Sequence, residues 1–244
     1  MDFTTARSSV RRIIHMEAFE NIRQNIEHAR KIVDTYENAE IMAVVKTRTV
    51  EEINFAIREC GVTLIGENRV QELLSHYEAL DRSARIHLIG SLQKNKVKYI
   101  IDKVEMIESL DSISLAAEID RHAKKHGLIM PVLIEVNIGK EESKGGILPE
   151  DLSTFCDELR AFENIAPMGL MTIAPIQTEK AGYRPYFSAM QDLIKNVFSL
   201  HFPNVKNPKL SMGMSGSYEI ALEYGATTVR LGEGLFGKRN YSTK

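Results

Sequence analysis

The 244-residue chain has no tryptophan, two cysteines and no long apolar run. Cys60 and Cys156 are far apart and form neither a CxxC nor a Cys/His pattern, so the sequence predicts no disulfide framework and no metal site. No apolar segment approaches the roughly 18 residues of a membrane span, and the first residues lack the order of a secretory signal. A cytoplasmic protein without a membrane partner is therefore expected.

Positive and negative charges are nearly balanced, because the formal net charge is −2 at pH 7. Nucleic-acid-binding proteins usually present a cationic surface, and the short basic stretch Lys94, Lys96 and Lys98 is interpreted as a solvated helix face. Linkers rich in proline or glycine and repeats of fixed period are missing as well. The sequence therefore predicts one globular domain with no nucleic-acid partner.

Short apolar runs alternate with helical patterns along the chain. Apolar residues at three- and four-residue spacing from Phe19 to Val33 predict an opening helix that begins just after Met16. Eight apolar runs predict strands at residues 41–45, 62–65, 86–89, 104–107, 132–138, 168–173, 209–212 and 227–231. Helical patterns occupy residues 50–60, 70–80, 113–126, 152–162, 186–200 and 218–224. Residues 1–15 are predicted to be an N-terminal extension, and residues 16–244 the folded domain.

Eight strand-helix units after one extra helix predict an α/β fold, a single-domain (β/α)8 TIM barrel, with a doubly wound open sheet as the alternative. Barrel active sites form where strands end and the following loops begin. Polar residues and glycines collect at these positions: Lys46, Gly66 to Asn68, Gly90, Ser91, Ser109, Asn137, Thr172, Gly213 to Ser217 and Arg230 to Gly234. A barrel would bring all of them to one mouth.

Lys46 follows the first predicted strand, which ends at Val45. A lysine among apolar neighbours loses hydration, which disfavours its charged form and exposes a nucleophilic amine that can form a Schiff base. The alternative is that the side chain merely reaches solvent from the end of a strand. The lysine alone does not decide between these interpretations.

The ends of the seventh and eighth predicted strands carry glycines and hydrogen-bond donors. Gly213 and Gly216 allow tight turns that leave backbone N–H groups unpaired, and such groups bind anions. Ser215 and Arg230 would add a hydroxyl and a guanidinium to the phosphate that barrels commonly bind between these two loops. Glu233 argues against this, because its carboxylate lies where a dianion is expected. The alternative is that the glycines only close loops and that Arg230 pairs with a carboxylate.

A phosphate site facing a strand-end lysine fits two chemistries. One is a phosphosugar aldolase that works through a lysine Schiff base, and the other is a site for pyridoxal 5′-phosphate (PLP). The spacing of the residues does not separate them.

Seven segments occur in a specific order: AVVKT at residues 43–47, GENRVQE at 66–72, HLIGSLQ at 87–93, VNI at 136–138, GLM at 169–171, LSMGMS at 210–215 and VRLG at 229–232. Together they resemble the YggS/PROSC family of pyridoxal phosphate homeostasis proteins, from about Met16 to the C-terminus. The resemblance implies a barrel of the alanine racemase N-terminal type that holds PLP as a Schiff base. It also implies the residues of the cofactor site: Lys46 at the imine, Asn68 beside the ring, Met212 at the border, and Ser215, Arg230, Gly232 and Glu233 at the phosphate.

Two departures from the family pattern affect the phosphate contacts. Gly216 and Ser217 stand where many relatives carry acidic residues, and Glu233 takes a place often held by serine or threonine. The resemblance leaves the site itself in place, and these departures concern only its fine detail.

Members of the resembled family are regarded as carriers or regulators of the cofactor, without an established enzymatic activity. Racemases of this barrel type take a tyrosine from an additional β-domain, and no such domain is expected in this chain. Tyr183, Tyr186 and Tyr218 lie in helical patterns, where aromatic residues usually fill core or surface. We therefore expect a monomeric, non-enzymatic PLP carrier and buffer for vitamin B6 homeostasis that meets apo PLP-dependent enzymes transiently. A PLP-dependent amino-acid racemase-like enzyme is the alternative.

Overall fold

Eight parallel strands close into a barrel in which each strand pairs with the next along the chain and the last pairs with the first. This computed structural model describes the backbone of residues 3–238 and the side chains of residues 16–238. The strands are β1 (Glu40–Val44), β2 (Leu64–Glu67), β3 (Arg85–Leu88), β4 (Met106–Leu110), β5 (Met130–Glu135), β6 (Ile165–Met171), β7 (Lys209–Met214) and β8 (Thr228–Leu231). The predicted (β/α)8 barrel is confirmed, and the open-sheet alternative is wrong.

Helices surround the barrel. They are α1 (Phe3–Val33), α2 (Val50–Arg58), α3 (Val70–His76), α4 (Val97–Ile100), α5 (Ile113–His126), α6 (Leu152–Leu159), α7 (Arg184–Leu193), α8 (Ser199–His201), α9 (Tyr218–Glu223) and α10 (Glu233–Phe236). Short 3-10 turns occur at Tyr77–Ala79, Lys94–Lys96, Pro149–Asp151 and Lys180–Tyr183. The helix predicted at residues 186–200 is divided, because a π turn at Ile194–Phe198 separates α7 from α8.

The opening helix is longer than its hydrophobic pattern predicts. It begins at Phe3, so the predicted boundary between an extension and the barrel at residue 15 falls within α1. Its apolar face is buried at Ile22 and Ile26, and the helix contacts α2, α9, α10 and β1. The Asn25 amide donates a hydrogen bond to the Leu235 carbonyl over 3.1 Å. The helix therefore packs against the first and last units of the barrel.

Local sequence signals position the helix after the first strand. Thr49 caps α2 by accepting a hydrogen bond from the Glu52 backbone N–H over 3.2 Å, and the Glu52 carboxylate accepts one from the Thr49 N–H over 2.8 Å. This reciprocal capping box satisfies two N–H groups that helix geometry leaves unpaired. It also fixes the chain only three residues beyond Lys46.

The sheet has a core on each side, because successive side chains of a strand point to opposite faces. The outer core fills the space between strands and helices, and the inner one consists of two small apolar clusters, one around Met42 and Leu64 and one around Met106 and Leu133. A buried polar row crosses the interior, made of His87, Glu108, Ser211 and Arg230. These side chains fill the barrel and leave space at the carboxyl ends of the strands.

Candidate functional site

A cavity of about 290 Å³ opens at the carboxyl ends of the strands. We call it the Lys46 cavity. Its walls come from β1, β7 and β8 and from the segments that follow β1, β2, β3, β6, β7 and β8: Val44, Lys46, Asn68, Ile89, Ile173, Met214, Ser215, Gly216, Arg230, Gly232 and Glu233. Six of the seven residues expected at the site thus line one space, and Met212 is the exception.

Lys46 is half-buried and is presented by an unusual turn. The next residue, Thr47, has φ = 63°, a left-handed conformation that is costly for a β-branched side chain. Its backbone N–H donates to the Glu72 carboxylate of α3. Arg48 extends the anchorage, because its guanidinium donates to the Phe236 carbonyl over 3.1 Å and to the Gly237 carbonyl over 2.5 Å. Both sides of the turn are therefore tied to neighbouring elements.

The Lys46 amine itself has no hydrogen-bond or ion-pair partner among the described residues. This is the arrangement expected of an amine that reacts with a ligand. Asn68 lines the same cavity, and its side-chain oxygen Oδ1 is buried without a hydrogen-bond partner in the described structure. A β-carbon at Gly90 would lie 2.0 Å from the Asn68 carbonyl, so the glycine is what allows β3 to approach the Asn68 backbone.

Two loops meet on the other side of the cavity. The Ser215 hydroxyl oxygen accepts a hydrogen bond from the Gly234 N–H over 2.9 Å, which leaves the hydroxyl hydrogen free to be donated to a ligand. A β-carbon at Gly234 would lie 3.0 Å from the same oxygen, so a larger residue there would push the serine hydroxyl aside. Glu233 is exposed at the rim. The serine hydroxyl is therefore a hydrogen-bond donor of the kind that a phosphate accepts.

Arg230 lies deeper than the loops. Its side chain is 4% exposed, and its guanidinium donates to the Ser211 hydroxyl over 2.8 Å and to the Thr172 carbonyl over 2.7 Å. The Ser211 hydroxyl in turn donates to Glu108 over 2.7 Å. Burial lowers the pKa of Arg230, while the carboxylates of Glu108 and Glu135 raise it. The guanidinium is thus a charge fixed in the barrel wall at the floor of the cavity.

The buried polar row ends at a histidine. His87 Nδ1 lies 2.7 Å from Glu108 Oε1, so both Glu108 oxygens are engaged, one by His87 and one by Ser211. His87 Nε2 is buried without a hydrogen-bond partner in the described structure. None of these three residues was predicted to belong to the site. The signal that could have identified them is a polar residue inside an otherwise apolar strand.

Met212 does not border the cavity. It is fully buried and packs in the outer core, between the sheet and the helices. The reason is the two-residue period of a strand: Ser211 faces the interior, where it contacts Glu108 and Arg230, so its neighbour points outward. Met214, which was not among the predicted cofactor-binding residues, lines the cavity instead.

The tyrosines that could in principle approach the mouth do not line the Lys46 cavity. Tyr218 is buried in the outer core, and Tyr183 and Tyr186 are half-buried against it. Within residues 16–238 no group of three or more His, Cys, Asp or Glu side chains could hold a metal ion. No helix of the described residues is long and apolar enough to cross a membrane.

The geometry fits a ligand with two ends. One end would react with the Lys46 amine, and the other would carry an anion for Ser215 and the surrounding backbone N–H groups. The Asn68 Oδ1, which has no hydrogen-bond partner in the described structure, would accept a hydrogen bond from the part of the ligand between its two ends. An aldehyde phosphate such as PLP meets these requirements, so the residues present fit this cofactor.

Comparison with known proteins agrees with the fold. The family model for the N-terminal domain of alanine racemase matches residues 18–240. The pyridoxal phosphate homeostasis protein of Aquifex aeolicus (strain VF5) is 43% identical over 231 residues, which cover 93% of this chain and 100% of that protein. PipY of Synechococcus elongatus PCC7942, solved with PLP bound, is 30% identical with a TM-score of 0.77 and covers 88% of this chain and 100% of its own. Alanine racemase of Clostridium difficile 630 shares only the fold, with 19% identity, a TM-score of 0.71 and coverage of 91% of this chain and 58% of the racemase.

Fold and cavity together define a barrel of the alanine racemase N-terminal type with a lysine at the end of its first strand. The chain belongs to the family of pyridoxal phosphate homeostasis proteins.

Proposed function

We propose that this protein binds PLP as a Schiff base on Lys46 and carries and buffers the cofactor, a role in intracellular vitamin B6 homeostasis. The observation that carries the proposal is that the Lys46 amine and the Ser215 hydroxyl face the same cavity. PLP supplies the aldehyde that a lysine amine can capture reversibly, and its phosphate suits a serine and backbone donors. The PLP bound to PipY and the names of the relatives support this choice of cofactor.

Each remaining residue of the proposed site has a separate task. Asn68 Oδ1 accepts a hydrogen bond next to the ring, and the backbone of Gly232 and Glu233 contributes to the phosphate loop. The Glu233 side chain, exposed at the rim, has room to turn away from the anion. Arg230 provides a fixed positive charge at the floor. Met212 contributes only by packing behind β7.

A carrier suits this cavity better than a racemase does. Racemisation needs acid-base groups on both faces of the substrate, and the lining residues that could transfer a proton are Lys46 and the exposed Glu233. No tyrosine lines this space in the described part of the chain. The proposed partners are PLP and, transiently, apo PLP-dependent enzymes. The monomeric state and the cytoplasmic location stay predictions from the sequence.

Borohydride reduction of the PLP-loaded protein, followed by peptide mapping, tests the attachment. The pyridoxyl group is expected on the peptide that contains Lys46 and nowhere else. Lys46→Arg, which keeps the charge but cannot form the imine, should remove the label and the yellow colour while leaving the thermal unfolding unchanged. A label on another lysine would contradict the assignment.

Transfer to an apo PLP-dependent enzyme, with a scavenger of free cofactor present, tests the carrier role. The loaded protein should restore the acceptor faster than spontaneous release accounts for. Restoration at the rate of spontaneous release would reduce the role to passive buffering. Racemisation of a common amino acid at about 1 per second or more would favour the racemase-like enzyme.

A further inference from the structure

A second cavity of about 230 Å³ adjoins the Lys46 cavity at the barrel mouth. The two share Asn68, Ile89 and Ile173 as a common wall. The rest of the second cavity comes from the loops after β3 and β5: Gly90, Ser91, Glu135, Val136, Asn137, Lys144 and Gly145. We call it the Glu135 cavity, and none of its residues outside the shared wall has a role in the proposed cofactor site.

Glu135 is the last residue of β5, and its half-buried carboxylate has no hydrogen-bond or ion-pair partner among the described residues. Glu108, one strand away, shows the contrast, because both of its oxygens are engaged by neighbouring side chains. A carboxylate withdrawn from water without a partner is unfavourable unless a ligand supplies one. Glu135 is therefore placed to receive a cation or a proton.

Three charged residues lie near Glu135 and belong to different elements of the barrel. Asp111, in the loop after β4, repels the carboxylate, and Arg230 on β8 attracts it, while burial is the largest effect. The net result is that the pKa of Glu135 rises from its usual value of 4.5 to about 7. Lys144, which lines the same cavity, is already paired with Glu141. A group that titrates near neutral pH exchanges protons readily under physiological conditions.

We propose that the Glu135 cavity binds the ammonium end of a small primary amine, such as an amino acid, and that Glu135 removes its proton so that the amine displaces Lys46 from the cofactor. This inference rests on the proposed function, since it requires PLP on Lys46. The inference means that a primary amine triggers the release of PLP from Lys46, so that release does not depend on hydrolysis of the imine alone.

The step balances without a further reagent. Glu135 takes one proton from the incoming ammonium, whose nitrogen lone pair then forms a bond to the cofactor carbon held by Lys46. The incoming nitrogen would then pass a second proton to the Lys46 nitrogen, the bond between the cofactor carbon and Lys46 would break, and Lys46 would leave as a neutral amine that recovers the first proton from Glu135. The net change would be one protonated C=N bond exchanged for another and two protons moved from the ligand nitrogen to the Lys46 nitrogen. No proton leaves an amino-acid α-carbon, so racemisation is not implied.

The first test uses the PLP-loaded protein and L-alanine as the amine, and follows the loss of cofactor from Lys46 by visible absorbance. The release rate should saturate with L-alanine concentration and should rise with pH through about 7, as Glu135 becomes ionised. Glu135→Gln should slow release by about a hundredfold, because general-base assistance is lost, and should abolish the rise near neutral pH. Glu142→Gln removes an equal charge from an exposed position of the next loop and should behave as the wild type.

The second test measures binding without the covalent link. In Lys46→Ala, saturation-transfer NMR should detect L-alanine bound to the protein, and Glu135→Gln added to this variant should abolish the signal. A release rate that is linear in L-alanine, or unchanged in Glu135→Gln, would overturn the inference while leaving PLP on Lys46. Failure of the proposed function looks different, because reduction would then leave no pyridoxyl group on Lys46 at all.

Discussion

The backbone N–H of Thr47 donates a hydrogen bond to the carboxylate of Glu72, twenty-five residues further along the chain. Thr47 follows Lys46 and has φ = 63°, a conformation that costs of order 1–3 kcal/mol for a residue other than glycine. Such a conformation persists only where surrounding contacts impose it. Glu72 therefore helps to set the direction in which Lys46 leaves β1.

Glu72→Ala should weaken the covalent capture of PLP, because the turn after Lys46 loses its anchor to α3. We expect about a tenfold loss in affinity, the equivalent of one hydrogen bond to a charged group. Titration of the apo protein with PLP, followed by visible absorbance, measures it. Glu72→Gln keeps an oxygen that can accept the Thr47 N–H and should restore most of the affinity. Equal losses in both variants would show that the charge of Glu72 matters and its anchoring of the turn does not.

Ser215→Ala should weaken PLP binding while leaving the stability of the protein nearly unchanged. The hydroxyl donates to no described group, and the one hydrogen bond that it accepts, from the Gly234 N–H, is exposed to solvent, so its loss should change the free energy of unfolding little. A hydrogen bond to a phosphate is worth about 1.5–3 kcal/mol, which predicts a tenfold to hundredfold loss in PLP affinity. Ser83→Ala, at an exposed serine near the start of β3, is the matched control. If Ser215→Ala binds PLP normally, the phosphate lies elsewhere.

Arg230→Ala should destabilise the apo protein as well as weaken PLP binding. The buried guanidinium donates to the Ser211 hydroxyl and the Thr172 carbonyl, so its removal leaves both of these buried acceptors without their donor. Leaving a buried polar group unsatisfied in this way typically costs about 1–3 kcal/mol per group, measured by denaturant unfolding of the apo protein. Arg184→Ala removes an exposed arginine paired with Glu223 and should leave the free energy of unfolding nearly unchanged. A stable Arg230→Ala apo protein would restrict the arginine to cofactor contacts.

The stability of the apo protein should fall as pH rises through the range in which Glu135 loses its proton. The pKa of this carboxyl is raised from 4.5 to about 7, so the folded state binds more protons than the unfolded state between these values. Stability then decreases with rising pH across that window, by about 1–3 kcal/mol for this one group. Glu135→Gln removes the effect and should flatten the dependence of melting temperature on pH between about pH 5 and pH 8. An unchanged slope in this variant would mean that Glu135 titrates at its ordinary value.

The barrel could be predicted from the sequence because the signals that specify it are local. Strand and helix periodicities depend on neighbours a few residues apart, and eight alternating units have few ways to bury both faces of a parallel sheet. The residue at which α1 begins could not be predicted from the sequence. Residues 3–15 have weak hydrophobic periodicity, yet they continue the helix that begins the fold.

The sequence by itself determined that Lys46, Asn68, Ser215 and Arg230 would meet, because the carboxyl ends of parallel strands share one edge of the barrel. Only the tertiary structure decided which side chains face inward. Ser211 turns into the barrel and Met212 away from it, and this depends on the register of β7 and β8, which shifts between Ser211 and Met214. The contact between Glu108 and Ser211 joins residues 103 positions apart, and no local pattern encodes such a pair. The partnerless carboxylate of Glu135 likewise follows from what the closed barrel places around it.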